Sequence, residues 1–160
     1  MPIVRVQEAD FDIGRELDAL TRGRTDVGAL ASFTGLVRAA NEGSAVTSMT
    51  LEHYPGMTER ALADIVAEAK GRFDIVDALV IHRVGRLVPG DAIVLVAVTG
   101  AHRGAAFAAC EFVMDYLKTR APFWKKEATP DGERWVDARA SDDAAAERWR
   151  DDGADRRQAR

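Results

Sequence analysis

The apolar positions of this chain switch repeatedly between the period of a strand and that of a helix. Residues 3–6, IVRV, read as a short strand, and Asp10 stands where an N-cap would open a helix over 11–20. Over 27–37 the string VGALASFTGLV places Ala29, Ala31, Phe33, Gly35 and Val37 on one face of a strand that ends at Arg38. Small and turn-forming residues follow (AANEGSA, 39–45), then a second alternating run, VTSMTLEHY, over 46–54. The two runs read as antiparallel strands joined by a mobile loop. Pro55 and Gly56 break the second strand. Beyond them Ala61, Leu62, Ile65, Val66 and Ala69 keep the spacing of an amphipathic helix over 57–70, closed by Gly71.

Residues 75–82 and 92–99 are rich in β-branched side chains and read as core strands. Between them Pro89 and Gly90 suit the two central positions of a type II turn. The next helix spans 104–120, with Ala106, Phe107, Cys110, Val113, Met114 and Leu117 on one stripe. It must stop before Pro122, because the residue preceding proline avoids helical angles. A hairpin around Thr129-Pro130-Asp131-Gly132 follows, and Ser141 is placed to cap a last short helix. This order predicts one α+β domain over 1–149, with a mixed, mostly antiparallel sheet and packed helices, then a polar, flexible tail over 150–160.

Composition removes several classes of function. With 47% hydrophobic and 30% charged residues and no apolar run near the roughly 20 residues of a membrane span, nothing points to a bilayer. The N-terminus lacks the pattern of a secretory signal, so a cytoplasmic location is expected. One cysteine, Cys110, allows neither an intrachain disulfide nor a thiolate cluster. His53, His82 and His102 have no metal-ligand spacing, and no glycine-rich phosphate loop or G-x-S-x-G elbow occurs. No resident metal or cofactor is expected. A net charge of -4 speaks against general affinity for nucleic acid.

The charge is nevertheless uneven. Arg103, Lys118, Arg120, Lys125 and Lys126 outnumber Glu111 and Asp115 in their stretch, so a locally positive site can exist on an acidic protein. His102 and Arg103 fall where T-G-A-H-R-G (99–104) opens a helix, whose free N–H groups favour a phosphate or carboxylate. Arginine adds bidentate recognition of the same groups. Lys118 and Lys125 lie either side of Pro122, and lysines crowded by cations can act as base or nucleophile near neutrality. Each also has a plain structural explanation. The dipole alone favours a lysine in a helix's last turn, Lys126 is expected at the surface, His53 and His82 within strands, and Cys110 and Met114 in the core.

Long, collinear strings then carry a specific resemblance. SFTGLVR (32–38), LEHYPGMTE (51–59), VIHRVGRLVPGD (80–91), AHR (101–103), MDYLKTRAPFWKKE (114–127) and RWVDARASD (134–142) closely resemble the large, catalytic subunits of molybdopterin synthases. The match runs from about residue 27 to 149; the N-terminal segment, the loop at 39–46 and the tail depart from it. The resemblance implies an α+β fold with a hammerhead-like element and a homodimer carrying one small ubiquitin-like sulfur-carrier subunit at each end, a heterotetramer. It implies sulfur transfer from the carrier's Gly-Gly thiocarboxylate to cyclic pyranopterin monophosphate, giving the dithiolene of molybdopterin. Lys118 and Lys125 match the residues nearest the chemistry, Arg38, His102 and Arg103 the anion-binding positions, and Phe33, Met114 and Arg139 less central pocket positions.

Two rival readings remain open. A scaffold that docks a ubiquitin-like tail without catalysis would need the same cations. The basic segment 118–126, interleaved with Phe123 and Trp124, has the composition of a single-strand nucleic-acid contact, against which the overall acidity speaks.

Overall fold

The computed structural model describes residues 3–136 and 140–150. In chain order its elements are β1 (Val4–Gln7), α1 (Ile13–Thr21), β2 (Ala29–Leu36), β3 (Ala40–Asn41), β4 (Ser44–Ala45), β5 (Ser48–His53), α2 (Met57–Arg72), β6 (Asp77–Arg83), β7 (Gly85–Leu87), β8 (Ala92–Gly100), α3 (Arg103–Arg120), β9 (Phe123–Thr129), β10 (Gly132–Val136) and α4 (Ala140–Glu147). The strands form one sheet in the order β1-β6-β8-β2, a second in the order β10-β9-β5-β7, and the small β3-β4 hairpin. Of these pairs β1-β6 runs parallel and the rest antiparallel. The result is the expected α+β domain.

The central strands are apolar on both faces because both faces are covered. Leu62, Ile65 and Val66 of α2 and Phe112 and Val113 of α3 bury one side of the first sheet against Val80, Val96 and Val98. Leu20 of α1 closes the other side over Leu79, Ile81, Leu95 and Ala97. The second sheet has its own smaller core of Met49, Leu51 and Leu87 with Val37 and Val84. Val6, Ile93 and Phe123 pack against that core, and all three also touch the main one, so the two sheets are welded rather than hinged.

Several sequence expectations need correction. The residues 27–37 and 46–54 do form strands, yet they do not pair: β2 lies beside β8 and β5 between β9 and β7. The segment between them crosses from one sheet to the other, and Val37 is buried in the second sheet's core. The expected loop at 39–45 contains a hairpin whose Asn41 is buried against Glu127. The cap of α1 is Asp12, which accepts from the Arg15 N–H at 3.0 Å, whereas Asp10 accepts from its neighbour Phe11. Gly71 lies inside α2; the helix continues to Arg72, and the Phe73 N–H then returns to the Ala69 carbonyl. Strand β7 was not legible at three residues. Pro89-Gly90 does make the turn, with Gly90 at φ 94 and the Asp91 N–H donating to the Val88 carbonyl.

The stripe on α3 is also broader than its sequence period implies. Phe107 is 64% exposed, while Phe112 and Tyr116 are buried because α2 and α4 pack on that side as well. Ser141 sits within α4 rather than before it. Trp149, just past α4, is fully buried and meets Phe73 and Phe112 edge to face. Its carbonyl accepts from Arg72 and its indole N–H donates to Asp115 at 2.6 Å. The chain just past α4 is thereby anchored; of the tail expected over 150–160, residues 151–160 lie outside the described residues.

Candidate active site

Between the first half of β2 and the outer face of α3 lies a cleft of about 470 Å³. Ala31, Phe33, Phe107, Cys110 and Met114 give it apolar walls, and Lys118 stands in it as the cation, with Glu111, Asp115 and Asp142 on the lining. Arg148, beyond α4, donates to Glu111 and, at 2.9 Å, to Asp115, which Trp149 also engages. Two of the three lining acids are thus matched from outside the cleft. Burial raises the Cys110 thiol to about 11, so at neutral pH this cysteine is a small apolar wall rather than a thiolate.

Further along β2 a second, smaller hollow of about 60 Å³ brings Arg38 to Lys125, with Leu36, Asn41, Met49, Ile93 and Glu127. Strand alternation explains Lys125. Phe123, Lys125 and Glu127 point inward from β9, and exposed Trp124 points out; Lys126, also on the outer face, lies 5.3 Å from the Trp135 ring centroid. Glu127 is buried and accepts from Asn41 Nδ2 (3.1 Å to each oxygen) and from Arg134 Nη2 (3.2 Å). That network ties the hairpin and β10 to the strand carrying Lys125, and fixes the strand's depth.

The two hollows are linked by the corner between α3 and β9. Lys118 lies in the last turn of the helix, Pro122 ends it, and Lys125 is the third residue of the strand. Thr58 Oγ1 donates to the Pro122 carbonyl at 3.0 Å and accepts from the Tyr54 N–H at 3.0 Å, pinning the corner to the start of α2. Beneath it His82 is buried, its ring stacked on Phe123 at 3.8 Å between centroids and 18° between planes. Its Nδ1 lies 2.8 Å from the Arg83 carbonyl, which can only accept, so Nδ1 carries the proton. Burial lowers its pKa to about 4; the Arg83 contact opposes this, and the charges of Lys118, Lys125 and His53 add to it. Both lysines therefore act electrostatically on one neutral imidazole.

The profile of the MoaE protein family matches residues 6–120 of this sequence. The chain belongs to the MoaE family. It is 66% identical over 149 residues to the molybdopterin synthase catalytic subunit of Ralstonia nicotianae, covering 93% of this chain and 85% of that protein. The molybdopterin biosynthesis MoaE protein of Burkholderia ambifaria has the same fold, with a TM-score of 0.80 and 59% identity over 93% of this chain and 98% of its own. A more distant likeness in fold, TM-score 0.71 at 20% identity over 86% and 92% of the two chains, is to a complex of subunits 1 and 2 of molybdopterin-converting factor from Helicobacter pylori. Membership of the MoaE family makes this chain an enzyme subunit of molybdenum cofactor biosynthesis.

On this MoaE scaffold the residues singled out in the sequence divide into two groups. Phe33, Met114 and Lys118 share the cleft, and Arg38 and Lys125 share the hollow beside it. His102 and Arg103, both exposed, open α3, so they stand about 22 Å along the helix axis from Lys118. Gly28 closes against that opening: a Cβ there would meet the Ala101 carbonyl oxygen at 2.3 Å. Arg139 lies outside the described residues. Beyond the residues singled out for the site, the structure brings to it Phe107, expected on the core stripe, the acids Glu111, Asp115 and Asp142, the Asn41-Glu127-Arg134 network, and His82, expected as a structural strand residue, at the corner. Only Glu127 carried a usable signal, its place on the inward face of an alternating strand. Among the described residues no cluster of His, Cys, Asp and Glu is arranged to hold a metal, and no helix is long and apolar enough to cross a membrane.

Proposed function

We propose that this chain transfers sulfur from the C-terminal thiocarboxylate of a small ubiquitin-like carrier to cyclic pyranopterin monophosphate, forming molybdopterin in the cytoplasm. The observation that supports this best is the convergence of Lys118 and Lys125 on the two sides of one corner, beside an apolar-walled cleft. An extended Gly-Gly tail has almost no side-chain bulk and fits such a cleft. A thiocarboxylate, a phosphate and the tetrahedral oxyanion formed at the acyl carbon are all negative, and fixed cations stabilise each.

In this reading the donor sulfur attacks an oxygen-bearing side-chain carbon of the pterin; a carbon–sulfur bond forms as a carbon–oxygen bond breaks, the departing oxygen takes the electron pair and a proton, and the carrier is left joined to the substrate through a thioester. Water then attacks the acyl carbon, the acyl–sulfur bond breaks, and the carrier departs as a carboxylate while the sulfur stays on the pterin. A second carrier repeats the step to complete the dithiolene. Lys118 serves as the acid/base or as the charge that stabilises the tetrahedral intermediate, and Lys125, with Arg38, holds the substrate. Phe33 and Met114 shape the cleft around the tail. His102, Arg103 and Arg139 complete the anion site. Since His102 and Arg103 stand far from Lys118 within one chain, their participation requires the second copy of a homodimer, which with two carriers makes a heterotetramer.

Reconstitution tests this reading. Purified chain, thiocarboxylated carrier and cyclic pyranopterin monophosphate are expected to give molybdopterin, with two carriers consumed per product. Carrier binding without any dithiolene product would instead leave a docking scaffold.

A further inference from the structure

Strand β6 is aliphatic through Ala78, Leu79, Val80 and Ile81, all buried, and then places a histidine in an equally buried position. Packing alone is served more cheaply there by another aliphatic side chain, because a buried imidazole must give up its hydration. The ring does not float in the core. Its Nδ1–H bonds the Arg83 carbonyl, so the buried nitrogen is satisfied within its own strand and the ring presents a plane to its neighbours. That plane lies flat on Phe123, the first residue after the proline that separates Lys118 from Lys125. Phe123 is held from its other sides as well, by its pairing with His53 across β5 and by the Thr58 bond to Pro122. Lys118 from α3, Lys125 from β9 and His53 from β5 are the charged or titratable groups acting on the imidazole.

We propose that His82 is a positioning residue for the lysine pair: its flat ring clamps Phe123 and so sets the corner between the helical turn that carries Lys118 and the strand that carries Lys125. It touches no substrate and exchanges no proton in this role; what matters is a planar ring stacked on Phe123. The proposal rests on the sulfur-transfer reading for its kinetic consequence, and on geometry alone for its structural one.

Two variants of similar volume separate the ring from its chemistry. His82→Phe keeps a flat ring and drops the nitrogens, whereas His82→Leu fills the space without a plane. With carrier and pterin saturating, His82→Leu is expected to lose about a hundredfold in kcat, the usual consequence of an ångström-scale misplacement, with carrier affinity unchanged. His82→Phe is expected to stay within about threefold of the wild type, since stacking survives. Equal rates in the leucine variant and the wild type, or a phenylalanine variant as slow as the leucine one, would overturn the proposal. A readout independent of turnover comes from NMR of the chain with its lysines reductively dimethylated. The Lys118 and Lys125 methyl signals should shift in His82→Leu and hold in His82→Phe. Unmoved signals in His82→Leu refute the clamp. A wild type that makes no molybdopterin refutes the sulfur-transfer reading and leaves this second test standing.

Discussion

The two ends of α3 carry the same kind of charge in opposite settings. At its start, His102 and Arg103 are exposed beside the free N–H groups of the helix. At its end, Lys118 lies on an apolar cleft, across a proline corner from Lys125 and above a buried neutral histidine. The first end can hold an anion, but among the described residues it lines neither hollow. Lys118 is itself exposed in the single chain, yet it lines a cleft walled by Ala31, Cys110 and Met114, where a bound ligand would displace water and strengthen a cation's effect on a developing negative charge. Positive charge therefore does not by itself distinguish the two ends of this helix; the apolar-walled cleft beside Lys118 does.

The largest expected effect tests that contrast directly. Lys118→Ala should lower kcat by about 100- to 1,000-fold, the range for removing one preorganised stabiliser of an oxyanion. Arg103→Ala should act chiefly on the apparent KM for the pterin, by about tenfold. If the start of one helix serves the end of another in a dimer, mixing the two inactive or weakened variants should restore part of the lost rate. No restoration on mixing would confine each site to one chain.

Next in size is the support of the reactive end. Trp149→Ala removes a fully buried ring, the hydrogen bond to Asp115 and the edge-to-face contacts with Phe73 and Phe112. It should destabilise the fold by about 3–5 kcal/mol, read by denaturant unfolding. His82 adds a pH dependence of the same order. Its native pKa of about 4 lies below the usual 6.5, so the unfolded chain takes up this proton first as the pH falls. Its contribution is complete above pH 6.5 and is lost between there and pH 4, in total about 3 kcal/mol. Unfolding free energies measured across that window should fall toward acid, and His82→Phe should flatten that part of the slope.

The smallest expected effect is at Cys110. Held as a thiol by burial, it should resist iodoacetamide at neutral pH and react only after unfolding. Cys110→Ala should leave turnover within about twofold, since in the proposed reaction the sulfur arrives on the carrier and no protein persulfide is needed. A large loss would move the cysteine into the chemistry.

How much of this was legible in the sequence follows the range of the contacts involved. The β-branched runs of β6 and β8 and the apolar spacing of α2 and α3 are local signals, and those elements stand where their periods put them. Strand pairing is not local. Residues 27–37 and 46–54 looked like partners because they are neighbours in sequence, yet the segment between them carries Val37 into another sheet. The lysine pair could be read because Pro122 forces a corner between them. Trp149 in a polar stretch, Asn41 in a glycine-containing loop and His82 at the end of a hydrophobic strand could not, since each acquires its role from a partner far along the chain. The broad buried face of α3 was missed for the same reason: Phe112 and Tyr116 are covered by helices whose docking no heptad count reveals.

The most direct test of the central claim is a single-turnover experiment with thiocarboxylated carrier and cyclic pyranopterin monophosphate, both saturating, on the wild type, Lys118→Ala and Arg103→Ala. The account predicts molybdopterin from the wild type, little or none from Lys118→Ala despite normal carrier binding, and a near-normal rate from Arg103→Ala once substrate is in excess. Equal rates for Lys118→Ala and the wild type would contradict it, and would remove the chemistry from this end of the helix.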